Sequence, residues 1–393
     1  MRSDLGQYYT HQNISKLLMS NILMKNPKKI LELGIGDGAL LREAKLKWRD
    51  SKIIGGDIDP KNIKILKKEF PNVDLFLING LSSRLNHRLK IKLGSIDVGV
   101  CNPPYLVVEK SDEIKKILNS SRLGDLSDYR IVTSDLVFLA QNLLLIRENG
   151  ELGIILPDGL LTSHQFSMFR KRIIENYSIK GIIELPDKIF KKTEAKTHIL
   201  VLKKCRPKNK TVTIHKANHK GEIEDTINVD IVDLPHRMDY SYHKWRLNDF
   251  KKGISLESVK AEIFRGKFSK KELSNGDYKY IHTTDLKKDL KYQVFKPNKR
   301  VARRFRCANK GDIIIPRVGK RCLGRVMVIE DGSILISDCL YVIRVPQEYR
   351  EALVRTLTSE YGQNWIKANS HGVCSRVISK IDLLNLEIQP LTL

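Results

Sequence analysis

Lys29-Ile30-Leu31-Glu32-Leu33-Gly34-Ile35-Gly36-Asp37-Gly38 is the stretch that decides the fold. Its first five residues are mostly apolar and read as a short buried strand. Three glycines spaced G-x-G-x-G follow, and they let the chain turn sharply into a helical stretch, Ala39–Lys47. Backbone without Cβ atoms can also come close to a ligand. A glycine-rich turn alone fits a structural bend as well as a cofactor loop. The wider pattern is more specific. Short runs of Ile, Leu and Val recur at Lys52–Gly56, Asp74–Ile78, Ile96–Val100, Glu151–Leu156, Ile179–Leu185 and Thr197–Lys203. Nearly continuous apolar runs are what parallel strands need when both faces of a sheet are covered. Between them Asp135–Ile146 reads as a helix, with Leu136, Leu139, Leu143 and Ile146 at helical spacing and Asn149-Gly150 as the stop. The expectation is an α/β fold with an open sheet wound on both faces.

Lys plus Arg number 70 against 45 Asp plus Glu, a formal net charge of +25 over 393 residues. Such a field favours polyanionic partners, although a basic surface alone gives the same total. Cys101, Cys205, Cys307, Cys322, Cys339 and Cys374 are scattered without a C-x-x-C pair, so neither a zinc site nor a disulfide framework is expected. His215 and His219 stand four apart in a lysine-rich segment that offers no further ligand, and no metal is expected there. The start MRSDLGQYYT lacks the apolar core of a signal peptide, and no run approaches membrane-spanning length. A soluble protein in the cell interior is the expectation.

At Lys203–Lys210 the text turns basic and polar, which suggests a domain boundary. Three segments are expected: a first domain over 1–204, a linker or peripheral strands over 205–235, and a second, mixed α+β domain over 236–393. The second domain should carry strands at Gly311–Val318, Arg325–Glu330 and Leu335–Val345, then one helix, Gln347–Ala368.

The second strand ends in Gly55-Gly56-Asp57-Ile58-Asp59-Pro60. An acidic side chain here can accept from both hydroxyls of an adenosine ribose. Asp59 before Pro60 reads as a helix cap, leaving Asp57 for the ribose and Ile58 as an apolar surface under the adenine. The fourth strand runs into Cys101-Asn102-Pro103-Pro104-Tyr105. A rigid turn is the bland reading of Asn-Pro-Pro, but a strand followed by NPPY after a glycine-rich first loop resembles motif IV of the amino-methyltransferases. The chemistry suits the residues. The lone pair of an exocyclic amino nitrogen is delocalised into its ring. Two acceptors, the Asn102 side-chain oxygen and the Pro103 carbonyl, can hold its hydrogens and push it towards a pyramidal, nucleophilic geometry facing a sulfonium methyl. Successive prolines keep the acceptors preorganised, and Tyr105 can stack on the base.

Over its whole length the chain resembles the N6-adenine DNA methyltransferases of the γ motif order. More closely, it looks like a type I restriction-system modification subunit joined to one recognition domain of a specificity subunit. Gly6-Gln7-Tyr8-Tyr9-Thr10 matches the family segment that closes over the methionine end of the cofactor. Ile154–Gly159 matches the loop after the fifth strand, and Leu185-Pro186-Asp187-Lys188-Ile189-Phe190 the late L-P-x-x-[VI]-F motif. The resemblance implies a Rossmann-like domain that uses S-adenosylmethionine, held by Tyr9, Thr10, Glu32, Gly34, Gly36, Asp57, Ile58, Asn79 and Asn102. It also implies an adenine flipped out of double-stranded DNA between Tyr105 and Phe190. Asn79 stands where the family often has Asp to receive the cofactor's adenine amino group; its carbonyl can still accept. Residues 107–131, polar and without a motif, suggest a mobile lid.

In the second half, Tyr280–Leu286, Gly311–Gly319 and Gly372–Pro390 more loosely resemble a DNA target-recognition domain. Arg300, Arg303, Arg304, Arg306, Arg317, Lys320, Arg321 and Arg325 suit phosphate contacts or a solvated face, with Arg317 the candidate base reader. Also implied are restriction–modification, a prokaryotic cytosol, and a homodimer or separate restriction subunit. Two rivals stay open: a methyltransferase acting on RNA or a protein glutamine, and a catalytically inactive DNA-specificity module.

Overall fold

The computed structural model describes residues 10–187, 189, 196–247, 253–276, 278–296, 305–319, 321–372 and 375–390. Two compact units divide at residues 244 and 245.

In chain order the first unit contains α1 (Gln12–Ser20), β1 (Lys29–Leu33), α2 (Ala39–Lys47), β2 (Lys52–Asp57), α3 (Pro60–Glu69), β3 (Asp74–Leu77), α4 (Leu85–Arg88) and β4 (Ile96–Cys101). Then come β5 (Val107–Val108), α5 (Asp112–Ser120), β6 (Val132–Thr133), α6 (Ser134–Leu145), β7 (Ile146–Pro157), α7 (Asp158–Thr162) and α8 (Ser167–Asn176). The unit closes with β8 (Ser178–Glu184), β9 (Thr197–Lys203), β10 (Thr211–Ala217), β11 (Ile223–Asp230) and α9 (Tyr240–Leu247), the last crossing the division. Nine strands form one sheet in the order β11-β10-β8-β9-β7-β4-β1-β2-β3. Strands β3, β2, β1, β4 and β7 are parallel, and β9 runs antiparallel between β7 and β8. One apolar core lies between the sheet and α1–α3, a second between the sheet and α5, α6 and α8. This is the expected Rossmann-like α/β architecture. Every inner strand is buried on both faces, which explains the unbroken Ile/Leu/Val runs.

Several boundaries differ from the sequence reading. The 205–235 stretch carries β10 and β11, which extend the main sheet through parallel pairing of β10 with β8. The first unit therefore continues well past 204. Arg170 shows why: its guanidinium, buried in α8, donates to the carbonyls of Pro235 (2.9 Å) and His236 (2.7 Å). Residues 107–131 are a folded insert, with Ile114, Ile117, Leu118, Leu123 and Tyr129 buried against α6. Ser111 caps α5 by accepting from Ile114 N at 3.3 Å. Asn149, at φ 63°, bends β7 instead of ending α6, which stops at Leu145.

The second unit holds a five-stranded sheet in the order Glu262–Arg265, Leu340–Arg344, Ile313–Pro316, Met327–Asp331, Lys291–Val294. The expected strand Leu335–Val345 is two, Ser333–Ile336 and Leu340–Arg344. The expected helix Gln347–Ala368 is also two, Gln347–Thr358 and Glu360–Asn369. Extended Ser359 separates them and caps the second by accepting from Gly362 N at 3.2 Å.

A fragment ending at residue 204 strips away β10, β11 and two acceptors of the buried Arg170 guanidinium. Expressed separately, 1–244 should melt in one cooperative transition while 1–204 aggregates or melts without cooperativity. Equal cooperativity of the two fragments in thermal denaturation would restore the earlier boundary.

Candidate active site

The parallel strands end on one edge of the sheet, and the loops that leave β1, β2, β3 and β4 enclose a cavity there. Its walls include Gly34, Gly36, Gly56, Asp57, Ile58, Ile78, Asn79, Gly80, Asn102, Pro104, Leu106, Val107, Ser134 and Phe138, around about 910 Å³ of empty space that takes in solvent at the mouth. That is a volume suited to a nucleoside-sized ligand.

The glycine loop owes its course to conformation. Gly34, Gly36 and Gly38 have φ of 71°, 54° and 83°, a region that side chains rarely enter. Asp57, buried at the end of β2, ties this loop to the next. One carboxylate oxygen accepts from Gly36 N (2.8 Å) and the other from Asp59 N (2.7 Å). Burial pushes the Asp57 carboxyl above its ordinary value, and those backbone donors act against the rise. Asp59 caps α3 by accepting from Lys61 N at 2.8 Å. Half-exposed Ile58 offers an apolar wall. Glu32 lies behind the loop, outside the cavity lining. Burial, then the charges of Asp37 and Asp57, pushes its carboxyl well up, and one of its oxygens has no hydrogen-bond partner among the described residues.

Asn102, partly buried after β4, lines the cavity, and two neighbours hold its amide. Its Nδ2 donates to Thr10 Oγ1 (2.9 Å), and the Tyr105 hydroxyl donates to its Oδ1 (3.1 Å). Pro103 is buried outside the lining, whereas Pro104 faces the cavity. Ser134, at the start of α6, clamps this loop: its hydroxyl donates to Pro104 O (2.6 Å) and accepts from Leu106 N (2.9 Å). Ser134 N also donates to Leu106 O at 2.8 Å.

The structure therefore gathers Thr10, Gly34, Gly36, Asp57, Ile58, Asn79, Asn102 and Tyr105 around one loop edge. Asn79 is exposed, and its Oδ1 already accepts from Leu81 N at 3.0 Å, leaving one lone pair for a ligand. Tyr9, Phe190, Arg303, Arg304 and Lys320 lie outside the described residues, as do the rest of the N-terminal motif, Arg300 and Cys374. In the second unit, Arg317 Nε donates to Asp338 O (2.9 Å), Arg325 to Leu286 O (2.7 Å), and Arg306 stacks 3.8 Å from the Phe264 ring centroid. Part of that basic set is thus engaged within the unit, while Arg321 is exposed.

Sequence reasoning missed Ser134 and Phe138. A Cβ on Gly80 would sit 2.4 Å from the Phe138 ring, so the aromatic packs onto bare backbone to form the cavity floor. The available signal was an aromatic off the Leu136/Leu139/Leu143 stripe in the helix after NPPY. Among the described residues no cluster of three or more His, Cys, Asp or Glu could hold a metal, and no helix is long and apolar enough to cross a membrane. His215 Nδ1 pairs with Thr226 Oγ1 at 2.8 Å across the β10–β11 hairpin.

The signature of the family described as N-6 DNA Methylase matches residues 1–271. The chain is 23% identical over 222 residues to a type I restriction enzyme methylase subunit of Mycoplasma pneumoniae, spanning 52% of this chain and 41% of that one. It is 33% identical over 113 residues to a Methanocaldococcus jannaschii protein named, provisionally, a protein N5-glutamine methyltransferase, spanning 29% and 55%. Among solved structures it is similar to the type I restriction-modification methyltransferase subunit of Streptococcus thermophilus, with a TM-score of 0.47, 22% identity, and 55% and 48% of the two chains covered. The chain spans about half the length of these curated relatives.

Asp135, next to the Ser134 clamp, supplies a pH test. Burial pushes its carboxyl from 3.8 to about 7, and no well-oriented hydrogen bond reaches either oxygen. The unfolded chain releases this proton near the ordinary value while the folded protein keeps it. Its contribution to stability is therefore full below pH about 4 and lost as pH rises to about 7. Asp135→Asn should gain stability relative to the parent across that window, by at most about 4 kcal/mol, and level off above it. A difference in melting temperature that stays constant from pH 4 to 8 would contradict the burial argument.

Proposed function

The chain belongs to the N-6 DNA methylase family, and we propose that it methylates the N6 amino group of adenine in double-stranded DNA at a specific sequence. The observation that carries this reading is Asn102, fixed by Thr10 and Tyr105 at the rim of a cavity with a glycine-rich wall and a carboxylate at the end of β2.

The residues fit S-adenosylmethionine on grounds of their own. Gly34, Gly36, Gly56 and Gly80 line the cavity with bare backbone, and Ile58, Ile78 and Phe138 offer apolar walls for a purine. Asp57 keeps lone pairs for ribose hydroxyls. Thr10, the last residue of the Gly6–Thr10 motif, touches Asn102. Bound there, the cofactor supplies an electrophilic methyl group on sulfur.

The chain's own part is to present the nucleophile. Asn102 Oδ1 and the Pro103 carbonyl accept the two hydrogens of the adenine amino group, drawing its lone pair out of conjugation. Ser134 holds the loop so that these acceptors need no reorganisation during transfer. Tyr105 orients Asn102 through its hydroxyl and offers its ring to the base, with Phe190 as the opposite face. The proton lost by the amino group leaves to solvent after transfer. The second unit is proposed as the DNA target-recognition domain, with Arg303, Arg304, Lys320 and Arg321 on phosphates and Arg317 on a base edge. One such domain reads half of a bipartite site, which fits a homodimer or a complex with separate restriction subunits in a prokaryotic cytosol.

A protein-glutamine acceptor is the second reading, favoured by the 33% match over 113 residues. Transfer assays offering DNA, RNA and protein separate the two; label in DNA adenine is expected, and label in protein or RNA alone would overturn the proposal. Asn102→Ala should lower kcat on DNA by roughly a hundred- to a thousand-fold or more, the loss expected on removing a transition-state hydrogen-bonding group. Its folding and DNA affinity should stay near parental, and full activity would discard the mechanism. DNA affinity should also fall steeply with salt, on a straight log–log line, as several phosphate contacts require; a flat line would contradict the DNA assignment.

A further inference from the structure

Beside the cavity, at the same edge of the sheet, the first unit buries five charged side chains and partly buries a sixth, Lys196. Asp158 follows β7, Glu184 ends β8 and Lys196 precedes β9; Arg170 comes from α8, and Arg237 and Asp239 from the segment before α9. Histidines aside, three cations face three carboxylates.

Lys196 Nζ lies 2.8 Å from Glu184 Oε1 and 3.9 Å from Asp158 Oδ1. His198, with no exposed surface, places Nε2 2.9 Å from Asp158 Oδ1. Thr162 donates to the other Asp158 oxygen at 3.0 Å. Glu184 accepts from Ser241 N (2.9 Å) and from the Ser241 hydroxyl. Arg237 makes a two-point pair with Asp239, at 2.7 and 2.9 Å. The backbone is tied by the same residues: Asp158 N donates to Lys196 O (2.9 Å) and Leu185 N to Thr197 O (3.0 Å). Burial alone would raise the Asp158 carboxyl, but His198, Lys196 and Arg237 together hold it below the ordinary range.

Folding stability does not explain such a cluster. Charges taken from water lose solvation that their mutual attraction roughly repays, and apolar replacements of the same volume often serve as well. Ion pairs and hydrogen bonds that cross-link three strand termini do restrict them to one geometry. Its location gives that geometry a use. The cavity lies over the ends of β1, β2, β3 and β4 with Asn102 at its rim, and β7, β9 and β8 continue the sheet beyond β4, so their termini flank the face from which an acceptor base can reach Asn102. The cluster sits at those strand ends. We propose that Lys196 and His198 are positioning residues for methyl transfer, holding the end of β8, the start of β9 and the loop after β7 in register with Asn102 so that the acceptor base is received in one place. The proposal rests on the DNA-adenine reading above.

The test compares the full chain with E184Q/K196M, K196R and H198Q on duplexes that carry its target sequence, with the target adenine either paired or mismatched. Three measurements are taken: binding of S-adenosylhomocysteine by calorimetry, KM for DNA, and kcat. Expected for E184Q/K196M are a native circular dichroism spectrum, homocysteine-analogue affinity within about threefold, and kcat on paired duplex down tenfold or more. K196R should recover much of that loss. The mismatched duplex, whose base leaves the stack more easily, should recover more in the variant than in the parent. A merely structural lesion would instead lower cofactor affinity and kcat together, with no mismatch rescue, and that pattern overturns the proposal. If the double variant does not fold, H198Q carries the same comparison with the same two outcomes. An active parent beside unaffected variants sinks this inference alone; a parent that transfers nothing to any duplex sinks the functional reading and this with it.

Discussion

One serine hydroxyl links the two halves of the candidate chemistry. Ser134 donates to Pro104 O and accepts from Leu106 N, so the loop carrying Asn102 is bound to the first turn of α6 and not merely appended to β4. The next turn of that helix carries Phe138, the floor of the cavity. Acceptor loop and cavity floor therefore share one rigid support. The proposed reaction, in which Asn102 holds an amino nitrogen in a strained geometry, needs such support, because every soft degree of freedom weakens the grip.

The strand order turns that support into a two-sided site. On one side of Asn102, the loops of β1, β2 and β3 enclose a cavity, joined to each other through the two oxygens of Asp57. On the other, the ends of β7 and β8 and the start of β9 are joined by ion pairs. The proposed transfer brings two ligands together at one atom and needs walls on both sides, and the topology supplies each wall with its own crosslink. The antiparallel β9 matters here, because it brings the start of one strand beside the ends of its neighbours.

How much of this was legible depended on burial. Inner strands such as Thr197–Lys203 declare themselves because both faces are apolar. The edge hairpin of β10 and β11 does not, since its residues alternate between core and water, and half of them look like loop. The insert between β5 and β6 reads as polar because few apolar residues serve it, yet nearly all of those point inward. NPPY, the glycine loop and Asp57 were visible because that chemistry is local in sequence. The Asp158–His198–Lys196–Glu184 cluster was not: its members are spread over forty residues and look like surface charges until the sheet brings them together. Ser134 was hidden for the same reason, as its partners precede it by about thirty residues.

The most direct measurement of the central claim is modification-sensitive sequencing of genomic DNA from a host that lacks adenine methylation and expresses this chain. The account predicts N6-methyladenine at a single fixed sequence motif, present at nearly every copy. Unmodified DNA, or methyl groups found only on cytosine, would contradict it.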